Sequence, residues 1–200
     1  MTARRVLLIA PVAAILAGCT MLGTMTTPVA RPAPWSGWNP TPDAPDPAYL
    51  AAAERDCVPR FKDAMTPFVP EEVIQDHRGN RAMFIFQSRT AQAEGSCEVI
   101  EGVDGSLTWS GGWSAGTWSP GHELWLQSWG DTSNLGDVPP QAARVEIVTE
   151  SGQVIEATVA HDRFVAWWPD ADPSTSITAY DASGSVIATI PGGGSSEPDP

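Results

Sequence analysis

Ala143-Arg-Val-Glu-Ile-Val-Thr149 and Gln153-Val-Ile-Glu-Ala-Thr-Val-Ala160, joined by Glu150-Ser-Gly152, form the stretch whose reading decides the fold class. Ala143, Val145 and Ile147 alternate with Arg144 and Glu146, the two-residue period that gives a pleated strand one apolar face and one wet face. Gly152 supplies the positive φ that a short hairpin loop needs. The pattern recurs outward in both directions. Arg78-Gly79-Asn80 separates Val73–His77 from Ala82–Arg89, and Val103-Asp104-Gly105 separates Cys97–Glu101 from Ser106–Ser110. Ala182-Ser183-Gly184 separates Thr178–Asp181 from Ser185–Ile190. Four hairpins without βαβ spacing predict a mostly β fold, an antiparallel β-sandwich or barrel built from hairpins. One short helix precedes them. Asp46 is placed to cap it, Pro47 fits its first position, and Pro59 must end or kink it. Leu50, Ala53 and Cys57 share one face of that helix, which puts the cysteine on the buried stripe.

Toward the N-terminus, Arg4 and Arg5 precede an apolar run from Val6 to Ala17. A positive start followed by about 12 apolar residues reads as a secretory signal, since a membrane-spanning helix needs roughly 20. The run ends in Leu16-Ala17-Gly18-Cys19, which resembles the lipobox of bacterial lipoproteins. The resemblance implies cleavage before Cys19 and a lipidated sulfur there, with acyl chains holding the protein to the extracytoplasmic face of the cell membrane. The expected organisation is a signal peptide over 1–18, a Pro/Thr-rich tether over 19–45, one β-rich domain over 46–190 and a disordered tail over 191–200. Trp35 and Trp38 lie within the tether, and docking on the domain is the expected use of these rings.

With Cys19 lipidated, Cys57 and Cys97 remain as an even pair in an oxidising compartment, and a disulfide is expected between them. The chain carries 24 acidic against 11 basic side chains, for a net charge of −13. Removing residues 1–18 takes away Arg4 and Arg5 and no acid, leaving 24 against 9. A surface this acidic excludes nucleic acid as a partner, because a phosphate binder needs a basic footprint. One lysine against ten arginines, with abundant alanine, points to a GC-rich source. Asp76-His77-Arg78-Gly79, Cys97, the run from Val145 to Pro169 and the stretch from Ile177 to Gly184 resemble uncharacterised actinobacterial secreted proteins, a likeness that implies the compartment and a β fold and no activity.

Trp109, Trp113, Trp118, Trp125 and Trp129 fall within 21 residues. Alternation places Leu124 and Leu126 on one face of a strand, with Glu123, Trp125, Gln127 and Trp129 on the other. Rings interleaved with amides suit a sugar-binding platform, in which an aromatic face stacks on a pyranose and amides hold its hydroxyls. Burial in the core is the commoner use of tryptophan.

Gly112-Trp113-Ser114-Ala115-Gly116 matches the G-x-S-x-G pattern, and Asp131 or Asp137 and then His161 follow in the order of α/β-hydrolases. That chemistry needs a strand-to-helix turn at the serine, which Pro120 and Gly121 disfavour. Asp170 and Asp172 lack the ligand spacing of a calcium loop, and His77, His122 and His161 lack metal-ligand spacing, so no metal or cofactor is expected. The primary functional expectation is a non-catalytic binding or scaffolding module acting on an unknown protein or ligand. A cell-wall glycan binder using Trp125, Gln127 and Trp129 is the second reading, and a serine esterase at Ser114 the third.

Overall fold

The computed structural model describes residues 36–117, 123–128 and 131–192. Cys19, the signal segment, Trp35, Trp118, His122, Trp129 and residues 193–200 lie outside the described residues.

The fold is mostly β, as the alternation predicts. Two short helices, α1 (Pro47–Asp56) and α2 (Val58–Ala64), precede eleven strands. The Asp46 carboxylate accepts from the Ala48 amide and caps α1, with Pro47 in the first turn, where its missing N–H costs nothing. The expected short helical segment is present, kinked at Cys57 into two pieces. Pro59 bends the helix without ending it, because the chain turns at Cys57 and the proline then sits in the first turn of α2.

Strands β1 (Glu72–Arg78), β2 (Arg81–Ser88), β3 (Ala93–Glu101) and β4 (Leu107–Thr117) form an antiparallel meander. The remaining strands are β5 (Trp125–Ser128), β6 (Ser133–Asp137), β7 (Arg144–Thr149), β8 (Val154–Ala160), β9 (Arg163–Trp167), β10 (Ser174–Tyr180) and β11 (Val186–Pro191). They make a second antiparallel sheet in the order β11-β10-β7-β8-β9-β6-β5, barrel-like and nearly closed. Strand β8 joins its two parts, pairing with β7 over Val154–Ala157 and with β9 over Thr158–Ala160. All four predicted hairpins are present.

Three apolar clusters follow from these faces. Ala82, Phe84 and Phe86 of β2 and Cys97 and Val99 of β3 pack beneath Tyr49, Ala53 and Phe61 of the helices. The disulfide Cys57–Cys97 ties this layer together across 40 residues. Val145, Ile147, Ile155, Phe164, Trp168 and Ile177 fill the inside of the curled sheet. Between the two sheets, Ile74, Met83 and Ile85 meet Leu135, Val165 and Trp167. Trp167 and Trp168 are both buried, on opposite faces of the sheet.

The last ten residues of the predicted tether are packed on the domain. Asp43 pairs with the edge of β1 at His77, and its carboxylate accepts from the Gly79 amide at 2.7 Å. Trp38 donates its indole N–H to the Trp167 carbonyl at 3.0 Å and packs against both clusters of the second sheet. Docking therefore holds for Trp38. Arg78, wholly buried, fixes this strap. Its five N–H donors go to both Asp76 oxygens, to the Asn39 and Pro40 carbonyls and to the Glu156 carbonyl of β8. Thr158 donates to the same Asp76 carboxylate at 2.9 Å. A buried ion pair costs heavily in desolvation unless its hydrogen bonds are complete, and here every guanidinium donor is met. Strap, first sheet and second sheet thus share one guanidinium.

Candidate functional site

Among the described residues β5 is one edge of the second sheet, and its alternation is the one expected. Leu124 and Leu126 are buried in the curled sheet, while Trp125 is 44% exposed and Gln127 is exposed. Trp125 is the one tryptophan among the exposed large apolar side chains of the described residues. Trp109 instead packs toward the helices, with the Arg60 guanidinium 4.1 Å from its ring centre.

The register of β5 tells what this ring stands beside. Trp125 pairs with Asp137 of β6, which pairs with Arg163 of β9. Directly opposed residues on antiparallel strands share a face, so Trp125, Asp137 and Arg163 stand together on the side that meets the first sheet. Gly136, next to Asp137, lets the strands close: a Cβ there would lie 1.9 Å from the Trp125 carbonyl oxygen and 2.4 Å from the Phe164 ring.

Across the gap, the inward row of β3 is polar. Glu94, Ser96 and Glu98 stand opposite Gln87, Ile85 and Met83 of β2. Inner rows of packed sheets are ordinarily apolar. Arg163 donates to Asp137 and, at 2.6 Å, to Glu94, while the Gln87 amide donates to the other Glu94 oxygen at 3.3 Å. Burial pushes the Glu94 carboxyl above the usual glutamate range, with Asp137 adding to the rise and Arg163 and Gln87 opposing it. Further along β3, Glu98 takes the Arg81 guanidinium and, at 2.6 Å, the Ser110 hydroxyl.

Two polar atoms of this cluster are buried and without a hydrogen-bond partner, the Gln87 Oε1 acceptor and the Arg163 Nε donor. Both belong to side chains bonded to the one Glu94 carboxylate. An unpaired buried group carries its full desolvation cost, and Asn80 at the β1–β2 turn and Asn134 of β6 carry such atoms as well. The arrangement offers an accessible aromatic face beside carboxylates, a guanidinium and two amides. These are the groups that stack on a ring and exchange hydrogen bonds with hydroxyls.

Sequence reasoning named Trp125 and Gln127 on the outward face of this strand, named Asp137 only as a possible hydrolase acid, and did not single out Glu94, Arg163 or Gln87. Of the other candidates, Gly112–Gly116 lies inside β4, with the backbone of Ser114 opposite Ser96 of β3 and strand continuing to Thr117. The Ser114 side chain lies outside the described set. Asp172 accepts from the amide and hydroxyl of Ser151, at 3.0 and 2.6 Å, as a turn-closing carboxylate does. Among the described residues no group of three histidine, cysteine or acidic side chains is disposed to hold a metal. His77 and His161 bond locally, His77 to the Gly79 carbonyl at 2.9 Å and His161 beside Glu72 at 3.5 Å.

No protein-family model, no curated protein and no solved structure matches the chain.

Proposed function

We propose that this protein is a lipid-anchored, non-catalytic binding module of the cell envelope whose ligand is a glycan held at Trp125 and Gln127. The exposure of Trp125, on a strand whose other face is buried, is the observation that carries the reading. An isolated exposed tryptophan on a small domain invites no explanation by itself. Here it flanks a hydrogen-bonding cluster with unpaired atoms.

The described chain begins at Ser36, whose carbonyl accepts from the Asn80 amide at the β1–β2 turn. Glu94 and Gln87 lie at the far end of those strands, six residues along β2 from Arg81, or about 20 Å. Ser36 thus joins the domain at the β1–β2 turn, the opposite end of β2 from Gln87.

Binding is tested by sedimentation with purified cell-wall polysaccharide, comparing the parent chain with Trp125→Ala and with Trp125→Ala combined with Gln127→Ala. Loss of a stacking ring lowers affinity by roughly 5- to 150-fold, given about 1–3 kcal/mol per stacked ring by analogy with base stacking. Retention by both variants at parental strength refutes the reading. The anchor is tested separately: Cys19→Ser releases the protein from membranes while Cys57 and Cys97 remain joined. A membrane fraction unchanged by that substitution removes the anchor from the proposal.

A further inference from the structure

We infer that the cleft between the strap and β8 is a second binding site, which takes the ammonium end of an alkyl amine such as a peptide's lysine side chain. It goes beyond the glycan reading of Trp125 and does not depend on it, since β9 and β6 stand between β8 and β5 in the sheet.

The strap makes the cleft. Pro42 and Pro45 form one wall, with Gln75 of β1 and Glu156–Val159 of β8 facing them, and the space between is about 250 Å³. Pro45 and Ala143 at its rim are exposed, so it opens to solvent. Ligand pockets commonly measure about 300–1,000 Å³, and this smaller one suits a single side chain better than an oligosaccharide.

The bonding capacity left in the lining is nearly all of one kind. Glu156 has no side-chain partner among the described residues. The Asp43 carboxylate accepts from the Gly79 amide at 2.7 Å and, at 3.5 Å, from the Asn39 amide. Gln75 donates to the Asp46 carbonyl at 3.2 Å and keeps its Oε1. Thr158 gives its hydroxyl proton to Asp76 at 2.9 Å and keeps its lone pairs. Two carboxylates, an amide oxygen and a hydroxyl oxygen remain, against one N–H of Gln75, so acceptors are in large excess.

Charge points the same way. No lysine, arginine or histidine lines the cleft. Arg78, beside it, spends its donors on Asp76 and on three backbone carbonyls. Glu156 also stands directly opposite Glu146 of β7, and like charges so placed are destabilising. Arg144 and the Tyr180 hydroxyl both go to Glu146, which leaves Glu156 uncompensated. An ammonium supplies three donors and one positive charge, and its methylene stem can lie along Pro42, Pro45 and Val159. A carboxylate or phosphate brings the wrong sign of charge, and a neutral amide or hydroxyl leaves both carboxylates unpaired.

The test is an amide NMR titration of the full chain with Nα-acetyl-lysine amide, its Nε-acetylated form and N-acetyl-norleucine amide. The lysine compound shifts the amides of Gln75, Glu156 and Thr158 saturably. The other two keep the stem without the charge and bind at least tenfold more weakly. Glu156→Gln, at a side chain with no partner to lose, weakens lysine binding tenfold or more. Glu54→Gln, an equal loss of charge at an exposed position of α1, leaves it within twofold, as does Trp125→Ala. Absence of saturable shifts at these amides overturns the inference, as does equal affinity for the lysine and norleucine compounds. Equal weakening by Glu54→Gln and Glu156→Gln also overturns it, because attraction is then to the acidic surface at large. Each of these failures leaves the glycan reading of Trp125 intact, and failure of polysaccharide sedimentation leaves the cleft intact.

Discussion

Glu94 is a carboxylate that the fold holds in a poor place for a charge. Its pKa is raised chiefly by burial, with Arg163 and Gln87 making up only part of the loss. The folded state therefore holds the Glu94 proton to higher pH than the unfolded chain does. The stability gained from that proton is fully present below the ordinary glutamate value of about 4.3, and is lost as pH rises through the raised value. Urea unfolding of the parent and of Glu94→Gln at a series of pH values reads this directly: the parent loses stability relative to the variant as pH climbs above the ordinary range. A difference independent of pH refutes it. None of this cluster was legible in the sequence, for a physical reason. Arg163 lies 26 residues from Asp137 and 69 from Glu94, and no local period joins residues so far apart. Trp125 was legible because its neighbours Leu124 and Leu126 announce the buried face by simple alternation.

Strands are where sequence and structure agree most closely, and β6 shows why the agreement stops. The four glycine-marked hairpins are readable because a turn and two alternating runs are all local signals. Strand β6, Ser133–Asp137, is buried along its whole length and carries serine, asparagine, glycine and aspartate, so it offers neither alternation nor β-propensity. Its place comes from its neighbours. Gly136 is the residue that makes the fit, with the Trp125 carbonyl and the Phe164 ring occupying the space a side chain would need. Gly136→Ala forces backbone to move, and overpacking of this kind costs about 1–3 kcal/mol. The displaced backbone is that of β5, so the same substitution weakens any ligand held at Trp125 more than it lowers the melting temperature of the helical layer. Thermal unfolding together with sedimentation with cell-wall polysaccharide checks both parts; unchanged stability and unchanged binding would show that β5 closes on β6 less tightly than this. The turn between β8 and β9 was also hidden, since His161 and Asp162 both take positive φ, at 53° and 64°, where glycine is the usual signal.

At the scale of the molecule, the two sheets meet through an apolar seam of modest extent, and the strap from Ser36 to Pro45 closes its side. This segment has the composition of a free tether, rich in proline and poor in apolar periodicity, and Trp38 is the only residue in it that signals docking. What docks it is a single large ring and a set of carbonyls. Trp38 touches the cluster between the sheets and the cluster inside the second sheet, and the carbonyls of Asn39 and Pro40 take two donors of the buried Arg78. Removing the ring should therefore act well beyond the strap. Trp38→Ala deletes a half-buried side chain and the hydrogen bond to the Trp167 carbonyl, a loss of about 2–3 kcal/mol, below the 3–5 kcal/mol of a fully buried tryptophan. With Trp38 gone, the Asn39 and Pro40 carbonyls rest only on the backbone bonds at Ser36, Pro40 and Asp43, and loosening of these two partners of the buried Arg78 moves the ion pair toward its costly, under-bonded state. Hydrogen exchange then speeds up at the amides of β1 on the first sheet and of β8 and β9 on the second, while the disulfide-tied layer of α1, α2 and β3 keeps its protection. Exchange that quickens only within residues 36–45 would mean that the strap lies on the domain without joining its two sheets.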